Sequence, residues 1–234
     1  MNQEIVLSIV IPAYKEGENL RLILPRINKV VGKMGIVSEV LVVDTLNKED
    51  DTEIVCRDNS VTYYNRERSN SYGDAIRTGI KYAHGKYVLF MDADGSHDPE
   101  FIEKMVTEVV GDKYDVIIAS RYVSGGASEN PLLLKFMSVL LNTFYAIFLN
   151  LKCKDVSNSF KLYHTEQLKS LDLRCNNFDI IEEILYLLKV NNPNLKLKEI
   201  PFHFKKRVFG KTKRNFFVFV FSYIKTILRL RLRK

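Results

Sequence analysis

At residues 86–99 the chain reads KYVLFMDADGSHDP, an apolar run that ends at two aspartates one residue apart. The apolar half predicts a buried strand. On an extended chain Asp92 and Asp94 would point to the same face, where they could close on one cation. Carboxylate oxygens suit Mg²⁺ or Mn²⁺, which take further ligands from substrate phosphates. The stretch therefore predicts a metal–diphosphate site or, more plainly, an Asp-rich turn that caps a helix beginning near Pro99.

The whole chain has 234 residues, of which 46% are hydrophobic and 27% charged, and this suits one globular domain with a full core. Cys56, Cys153 and Cys175 show neither disulfide nor metal-ligand spacing, so we expect a reducing cytoplasm. The first residues lack the positive region of a signal peptide. A net charge of +7 favours an anionic partner: nucleic acid, a membrane surface or a phosphorylated substrate.

Apolar strands alternate with amphipathic helices along the first half of the chain. Strands are predicted at 5–11, 39–43, 61–64, 86–91 and 115–119, and helices at 20–30, 52–58, 72–83 and 99–110. The alternation predicts an α/β fold, a mostly parallel sheet with helices on both faces. Ligands bind such sheets at the carboxyl ends of the strands. No GxGxxG or P-loop pattern follows a strand, so a metal and side chains would have to hold a nucleotide.

Several motifs, in this order along the chain, resemble those of family 2 glycosyltransferases, and more narrowly the dolichol-phosphate mannose synthase group and its bacterial polyprenyl-phosphate relatives. They are SIVIPAYKE at 8–16, Asp44, YGDAIRTG at 72–79, MDAD at 91–94, SRY at 120–122 and RxxGxxK at 207–213. The resemblance covers about residues 5–214. It implies a GT-A (Rossmann-like) fold and a nucleotide-sugar donor, with GDP or UDP as the nucleotide.

The resemblance also implies roles for individual residues. Those at the base and ribose would be Pro12, Tyr14, Glu16 and Asp44. Those at the diphosphate and a divalent metal, Mg²⁺ or Mn²⁺, would be Asp92, Ala93, Asp94 and Ser96, the last where the family often has Gln. Those at the acceptor phosphate would be Arg121, Arg207 and Lys213, with Lys135 and Ser138 beside them. Asp44-Thr-Leu-Asn stands where the family usually has Asp-Asp-Gly-Ser, which leaves the base open.

A lipid phosphate acceptor is already an anion, so its attack on the sugar needs no general base. Asp94, Arg121, Arg207 and Lys213 are therefore the expected catalytic groups: they bring two anions together and stabilise the departing diphosphate. The predicted function is metal-dependent, inverting transfer of one mannose- or glucose-type sugar to a polyprenyl (dolichyl or undecaprenyl) phosphate. The alternative is a family 2 glycosyltransferase acting on a sugar hydroxyl in polysaccharide or glycan synthesis.

A hydroxyl acceptor would need a base. Glu182 or Glu183 could supply one, although an acidic helix face is the plainer interpretation of that pair. His97 could line the site or merely cap the turn after the aspartates. These alternatives stay open at the level of sequence.

Two apolar segments suggest a membrane surface. Residues 131–151 predict an amphipathic interface helix whose narrow polar stripe carries Lys135, Ser138, Asn142 and Tyr145. Residues 215–234, after a catalytic domain at 1–214, predict a basic amphipathic helix. A cationic face of this kind suits the cytoplasmic leaflet, so we expect a cytoplasmic protein peripheral to that membrane face. A core or homodimer helix is the alternative, and no nucleic-acid motif appears.

Overall fold

The computed structural model describes residues 4–111, 113–207 and 226–232, and its centre is a seven-stranded sheet. The strands in chain order are β1 (Leu7–Pro12), β2 (Ser38–Asp44), β3 (Thr62–Asn65), β4 (Tyr87–Phe90), β5 (Val116–Ser120), β6 (Ala127–Ser128), β7 (Lys161–His164), β8 (Leu197–Pro201) and β9 (His203–Phe204). The large sheet has the order β3-β2-β1-β4-β7-β5-β8, and only β7 runs antiparallel to its neighbours. Strands β6 and β9 form a small parallel pair. The predicted mostly parallel sheet is confirmed.

Helices cover both faces of the sheet, as predicted. They are α1 (Gly17–Met34), α2 (Thr52–Asp58), α3 (Tyr72–Tyr82), α4 (Phe101–Val109), α5 (Leu132–Phe148), α6 (Thr165–Lys169) and α7 (Ile180–Asn191). Helices α1, α2 and α4 pack on one face, and α3, α6 and α7 on the other. Ile9 and Val10, neighbours on β1, enter opposite cores because successive strand side chains point to opposite faces.

Strand β4 ends at Phe90, two residues before the first aspartate. Asp92 and Asp94 therefore follow the strand, as predicted, and strand alternation does not set the directions of their side chains. The Ser96 N–H donates to Asp94 Oδ1 at 3.0 Å, which forms an Asx turn. Gly95, between these two residues, adopts φ +79°. Only glycine takes up that left-handed conformation without steric cost.

Helix α5 is the predicted interface helix, and its polar stripe faces the protein. Asn142 and Tyr145 are fully buried, whereas Leu133, Phe136 and Ile147 are each more than 60% exposed. Across the three described ranges, no helix combines the length and the apolar character that a bilayer span requires.

Residues 226–232 are helical and belong to the predicted basic tail. Ile227 and Leu230 are buried in the core beside α3 and α7, and the Thr226 hydroxyl donates to Asp179 Oδ2 at 2.9 Å. This short part of the tail therefore packs against the domain rather than standing apart from it. Positions 215–225 and 233–234 lie outside the described residues, so the division at residue 214 stays a prediction.

Candidate active site

Several of the predicted site residues lie at one edge of the sheet, where parallel strands end. Pro12 ends β1, Asp44 ends β2, Asp92 follows β4 and Ser120 ends β5. Because β7 is antiparallel, its amino-terminal end reaches the same edge. The segment before β7 thereby places the Ser159 hydroxyl 3.0 Å from Asp92 Oδ1.

Asp44 is a buried carboxylate at this edge, with 1% of its surface exposed. Its Oδ2 accepts a hydrogen bond from the Tyr63 hydroxyl at 3.2 Å, while Oδ1 has no hydrogen-bond partner among the described residues. Burial raises the pKa of Asp44. A buried acceptor without a partner is costly, so the site suits an incoming O–H or N–H donor, such as a ribose or a base.

Tyr14 and Glu16 follow β1 at the mouth of the same region. Tyr14 is 41% exposed, and Glu16 accepts a hydrogen bond from Asn19. Burial raises the pKa of Glu16. The predicted base-and-ribose residues therefore lie at or just after the ends of β1 and β2.

Asp92 and Asp94 flank Ala93 in the turn after β4. Asp92 Oδ1 accepts from Ser159 and lies 3.5 Å from the Tyr72 hydroxyl. Asp94 Oδ1 accepts both the N–H and the hydroxyl of Ser96. Burial by itself would raise its pKa, but the hydrogen bonds from Ser96 and nearby positive charge lower the pKa of Asp94. Asp94 is therefore an ionised carboxylate at neutral pH.

His97 is fully buried behind this turn. Its Nδ1 accepts the Asp92 N–H at 3.0 Å, so Nε2 carries the proton and donates to Asn158 Oδ1 at 3.2 Å. Asn158 in turn donates to Ala119 O at the end of β5, and the imidazole stacks on Phe160. Burial lowers the pKa of His97. Of the two open alternatives, His97 holds the turn rather than lining the site.

The chain after β9 crosses over the turn and brings Arg207 to the aspartates. The Lys205 N–H donates to Ser96 O at 3.2 Å, which fixes this crossing. Arg207 Nε then lies 3.1 Å from Asp94 Oδ2, and Nη1 lies 3.8 Å from Glu16 Oε1. The predicted acceptor cation therefore pairs here with the carboxylates predicted for the donor and the metal.

Arg121 directly follows β5. Its Nε and Nη2 donate to the two carboxylate oxygens of buried Asp155, at 2.8 and 2.6 Å, and Nη2 also donates to Ser157 Oγ at 3.1 Å. The guanidinium stacks over Phe204, whose ring also contacts His97. Arg121 is therefore a rigidly anchored cation near the turn.

The other residues predicted at the acceptor phosphate have no described contact with the aspartates. Lys135 and Ser138 are half-buried on α5, and Ser138 contacts Asn142 of the same helix. No described contact joins Lys135 to the aspartates. Lys213 lies outside the described residues.

Glu182 and Glu183 lie inside the protein, with 1% and 0% exposed. Glu183 accepts the backbone N–H groups of Arg174 and Cys175. The expectation of an acidic helix face is therefore wrong. Hydrophobic neighbours at helical spacing turn this face of α7 inward, and the Glu183 carboxylate holds the preceding loop.

Two carboxylates on a tight turn fit a hard divalent cation. Within residues 4–111, 113–207 and 226–232, no group of three or more His, Cys, Asp or Glu side chains forms a closed metal site. A Mg²⁺ or Mn²⁺ at Asp92 and Asp94 would therefore complete its shell with water and a donor diphosphate, as such ions commonly do. The Ser96 hydroxyl donates to Asp94, so it supports that carboxylate, and its role as a ligand stays a prediction.

Sequence reasoning assigned no role to several residues at the site, namely Tyr72, Asp155, Ser157, Asn158 and Ser159. Four of them fall in one short polar segment, DVSNS at 155–159, between the apolar stretch at 131–151 and an apolar run. That polar interruption was the available signal. The antiparallel strand that carries it to the site could not be read from local periodicity.

The family model described as "Glycosyl transferase family 2" matches residues 8–172. The dolichol-phosphate mannosyltransferase of Pyrococcus furiosus is 32% identical over 230 residues, which cover 95% of this chain and 63% of that relative. The undecaprenyl-phosphate mannosyltransferase of Micrococcus luteus is 31% identical over 219 residues, 87% of this chain and 85% of the relative. The chain thus spans less than two thirds of the length of the Pyrococcus relative.

Solved structures share the fold. Glucosyl-3-phosphoglycerate synthase from Mycobacterium tuberculosis, in complex with Mn²⁺, UDP and phosphoglyceric acid, has a TM-score of 0.74 at 18% identity, covering 96% of this chain and 78% of that one. The same synthase with Mg²⁺ and UDP has a TM-score of 0.72 at 17% identity, covering 96% and 79%. These similarities identify the architecture as GT-A.

Proposed function

Because this chain belongs to glycosyl transferase family 2, we propose that it transfers one sugar from a nucleotide-sugar to a polyprenyl phosphate. The observation that carries the proposal is the meeting of opposite charges at one sheet edge, where Arg207 reaches Asp94 and Glu16. The names of the relatives, a dolichol-phosphate and an undecaprenyl-phosphate mannosyltransferase, support the acceptor class and favour mannose as the sugar.

The donor would lie across the ends of β1, β2 and β4. Asp44 would accept a hydrogen bond from the ribose or base, which would satisfy its buried Oδ1. Asp92 and Asp94 would hold Mg²⁺ or Mn²⁺, and the bound ion would neutralise the departing nucleoside diphosphate. The fold neighbours that bind Mn²⁺ or Mg²⁺ with UDP support this cofactor.

The acceptor phosphate would meet the arginines. A phosphate oxygen is already anionic, so the protein needs to supply position and positive charge rather than a base. Arg207 would exchange its carboxylate partners for the phosphate, which a guanidinium can bind with two parallel hydrogen bonds. Direct in-line attack at the sugar carbon would invert its configuration.

Transfer to a sugar hydroxyl is disfavoured by the absence of a suitable base among the residues proposed for that role. Glu182 and Glu183 are buried, and Glu183 is committed to the loop at 174–175. A lipid acceptor also accounts for the exposed apolar face of α5. We therefore propose that the protein works as a peripheral enzyme at the cytoplasmic membrane face.

Product analysis tests the proposal directly. Purified protein is incubated with Mn²⁺, a panel of GDP- and UDP-sugars and two competing acceptors, a short polyprenyl phosphate and an oligosaccharide. The products are extracted and weighed by mass spectrometry. We expect a lipid whose mass increases by one hexose and whose sugar is released by mild acid. An extended saccharide with no glycosylated lipid would instead indicate the hydroxyl-acceptor function.

Arg207→Ala is expected to impair use of the acceptor more than binding of the donor. Losing hydrogen bonds between charged groups costs about 1.5–3 kcal/mol, which corresponds to a roughly 10- to 150-fold rise in KM for polyprenyl phosphate. Calorimetry with nucleotide and Mn²⁺ should show an unchanged or lower Kd, because the substitution releases Asp94 from its ion pair.

Arg174→Ala is the matched control, since Arg174 is an exposed arginine paired with Asp172. It should leave both constants unchanged. A weaker donor complex with a normal acceptor KM in Arg207→Ala would reassign Arg207 to the donor.

A further inference from the structure

A buried hydrogen-bonded connection joins α5 to Arg121. Asn142 lies in the middle of this apolar helix and is fully buried. Its Nδ2 donates to Ser157 Oγ at 3.0 Å, and its Oδ1 accepts the Ser157 N–H at 2.8 Å. Both ends of the amide therefore bind the same residue, which fixes the orientation of the side chain.

The connection continues from Ser157 to the guanidinium. Ser157 Oγ also accepts from Arg121 Nη2 at 3.1 Å, so Arg121 and Asn142 share one hydroxyl oxygen. Asp155 supplies the counter-charge for Arg121. Ser157 accepts a further hydrogen bond from the guanidinium and so restricts its orientation. Together the two partners determine the plane of the guanidinium.

A buried amide at this place needs a reason, because burying a polar side chain is unfavourable unless it is fully hydrogen-bonded. An apolar residue would extend the hydrophobic character of α5 without that cost. The third hydrogen bond of Asn142, from Nδ2 to Ser138 O at 2.7 Å, ties the amide to the helix turn that carries the half-buried Ser138. A displacement of α5 would therefore be transmitted to Ser157 and on to Arg121.

We propose that Asn142 is a positioning residue that holds Arg121 in place for the acceptor phosphate through Ser157. This inference rests on the proposed function, in which Arg121 binds that phosphate. It adds that the helix with the exposed apolar face also aligns the cation that receives the charged end of the lipid. Asn142 itself does not touch substrate.

Asn142→Ala tests the proposal. We expect the KM for a short polyprenyl phosphate to rise roughly tenfold, the equivalent of about 1.4 kcal/mol. The Kd for nucleotide with Mn²⁺, measured by calorimetry, should stay within twofold of wild type. A merely structural role would reduce the fraction of folded enzyme, which lowers the apparent kcat and leaves the acceptor KM unchanged.

Ser157→Ala should reproduce the effect, because it removes the shared hydroxyl while α5 keeps its own sequence. In a double-mutant cycle, Asn142→Ala combined with Ser157→Ala should be no worse than the more impaired single variant. Thr143→Ala is the matched control: the Thr143 hydroxyl is exposed and donates to Val139 O of its own helix. It should behave as wild type.

An unchanged acceptor KM in Ser157→Ala would overturn the proposal even if Asn142→Ala fails to fold. Where both single variants fold, additive effects in the double variant would overturn it as well. The wild-type product separates this failure from that of the function. If the wild-type enzyme makes the glycosylated lipid and the variants have the same acceptor KM as wild type, only the positioning role of Asn142 is refuted. If wild type makes no such lipid, both proposals fall.

Discussion

Asp94→Asn should lower kcat/KM for sugar transfer by roughly 10²- to 10³-fold, the loss typical of removing one group that stabilises charge in a transition state. The substitution keeps the size of the side chain and an oxygen that can accept from Ser96. It removes the negative charge that would hold a divalent ion against the diphosphate. The lowered pKa of the wild-type carboxyl group means that this charge is present at neutral pH.

Two measurements identify the cause of the loss. Activity is titrated with Mn²⁺, and Mn²⁺ binding in the presence of nucleotide is followed by electron paramagnetic resonance. We expect both to weaken in Asp94→Asn and neither in Asp172→Asn, a control that removes an exposed carboxylate paired with Arg174. Wild-type turnover and metal dependence in Asp94→Asn would remove this residue from the metal site.

Replacing Leu133 and Ile147 together with glutamate should abolish binding to anionic vesicles. Both side chains are more than 65% exposed on the outer face of α5. Burying a large apolar side chain contributes about 1.5–3 kcal/mol, so losing two predicts a roughly 100-fold or greater fall in the partition coefficient. Co-sedimentation with vesicles that contain phosphatidylglycerol measures it.

The matched control is the double variant Leu22→Glu, Val190→Glu. These residues are about half exposed on α1 and α7 and undergo the same change of charge. The control should bind vesicles almost as wild type does. If the α5 variant instead keeps its vesicle binding but changes from dimer to monomer in light scattering, the apolar face is a homodimer surface.

Deleting residues 215–234 is a less direct test of membrane binding. Ile227 and Leu230 lie in the core beside α3 and α7, so the deletion would expose apolar surface as well as removing basic residues. Loss of vesicle binding after such a deletion would then have two causes. Substitutions on α5 avoid this ambiguity because they alter side chains that are already exposed.

Sequence alone determined the class of fold and the edge of the sheet where the candidate site lies. Strand and helix periodicities are local properties of the chain, and in a parallel sheet the polar residues after each strand must meet at one edge. The two aspartates after the apolar run at 86–91 could therefore be chosen without coordinates. The amphipathic character of 131–151 was visible for the same reason, as a narrow polar stripe on an apolar helix.

Only the tertiary structure decided which charges meet. Arg207 pairs with Asp94 although 113 positions in the chain separate them. Asp155 pairs with Arg121 across a separation of 34 positions. Glu182 and Glu183 turned out to be interior residues because the packing of α7, rather than its composition, sets which face is buried. Such pairings depend on β7 running antiparallel and on the crossing after β9. Those are long-range choices of strand order, which no local pattern of residues encodes.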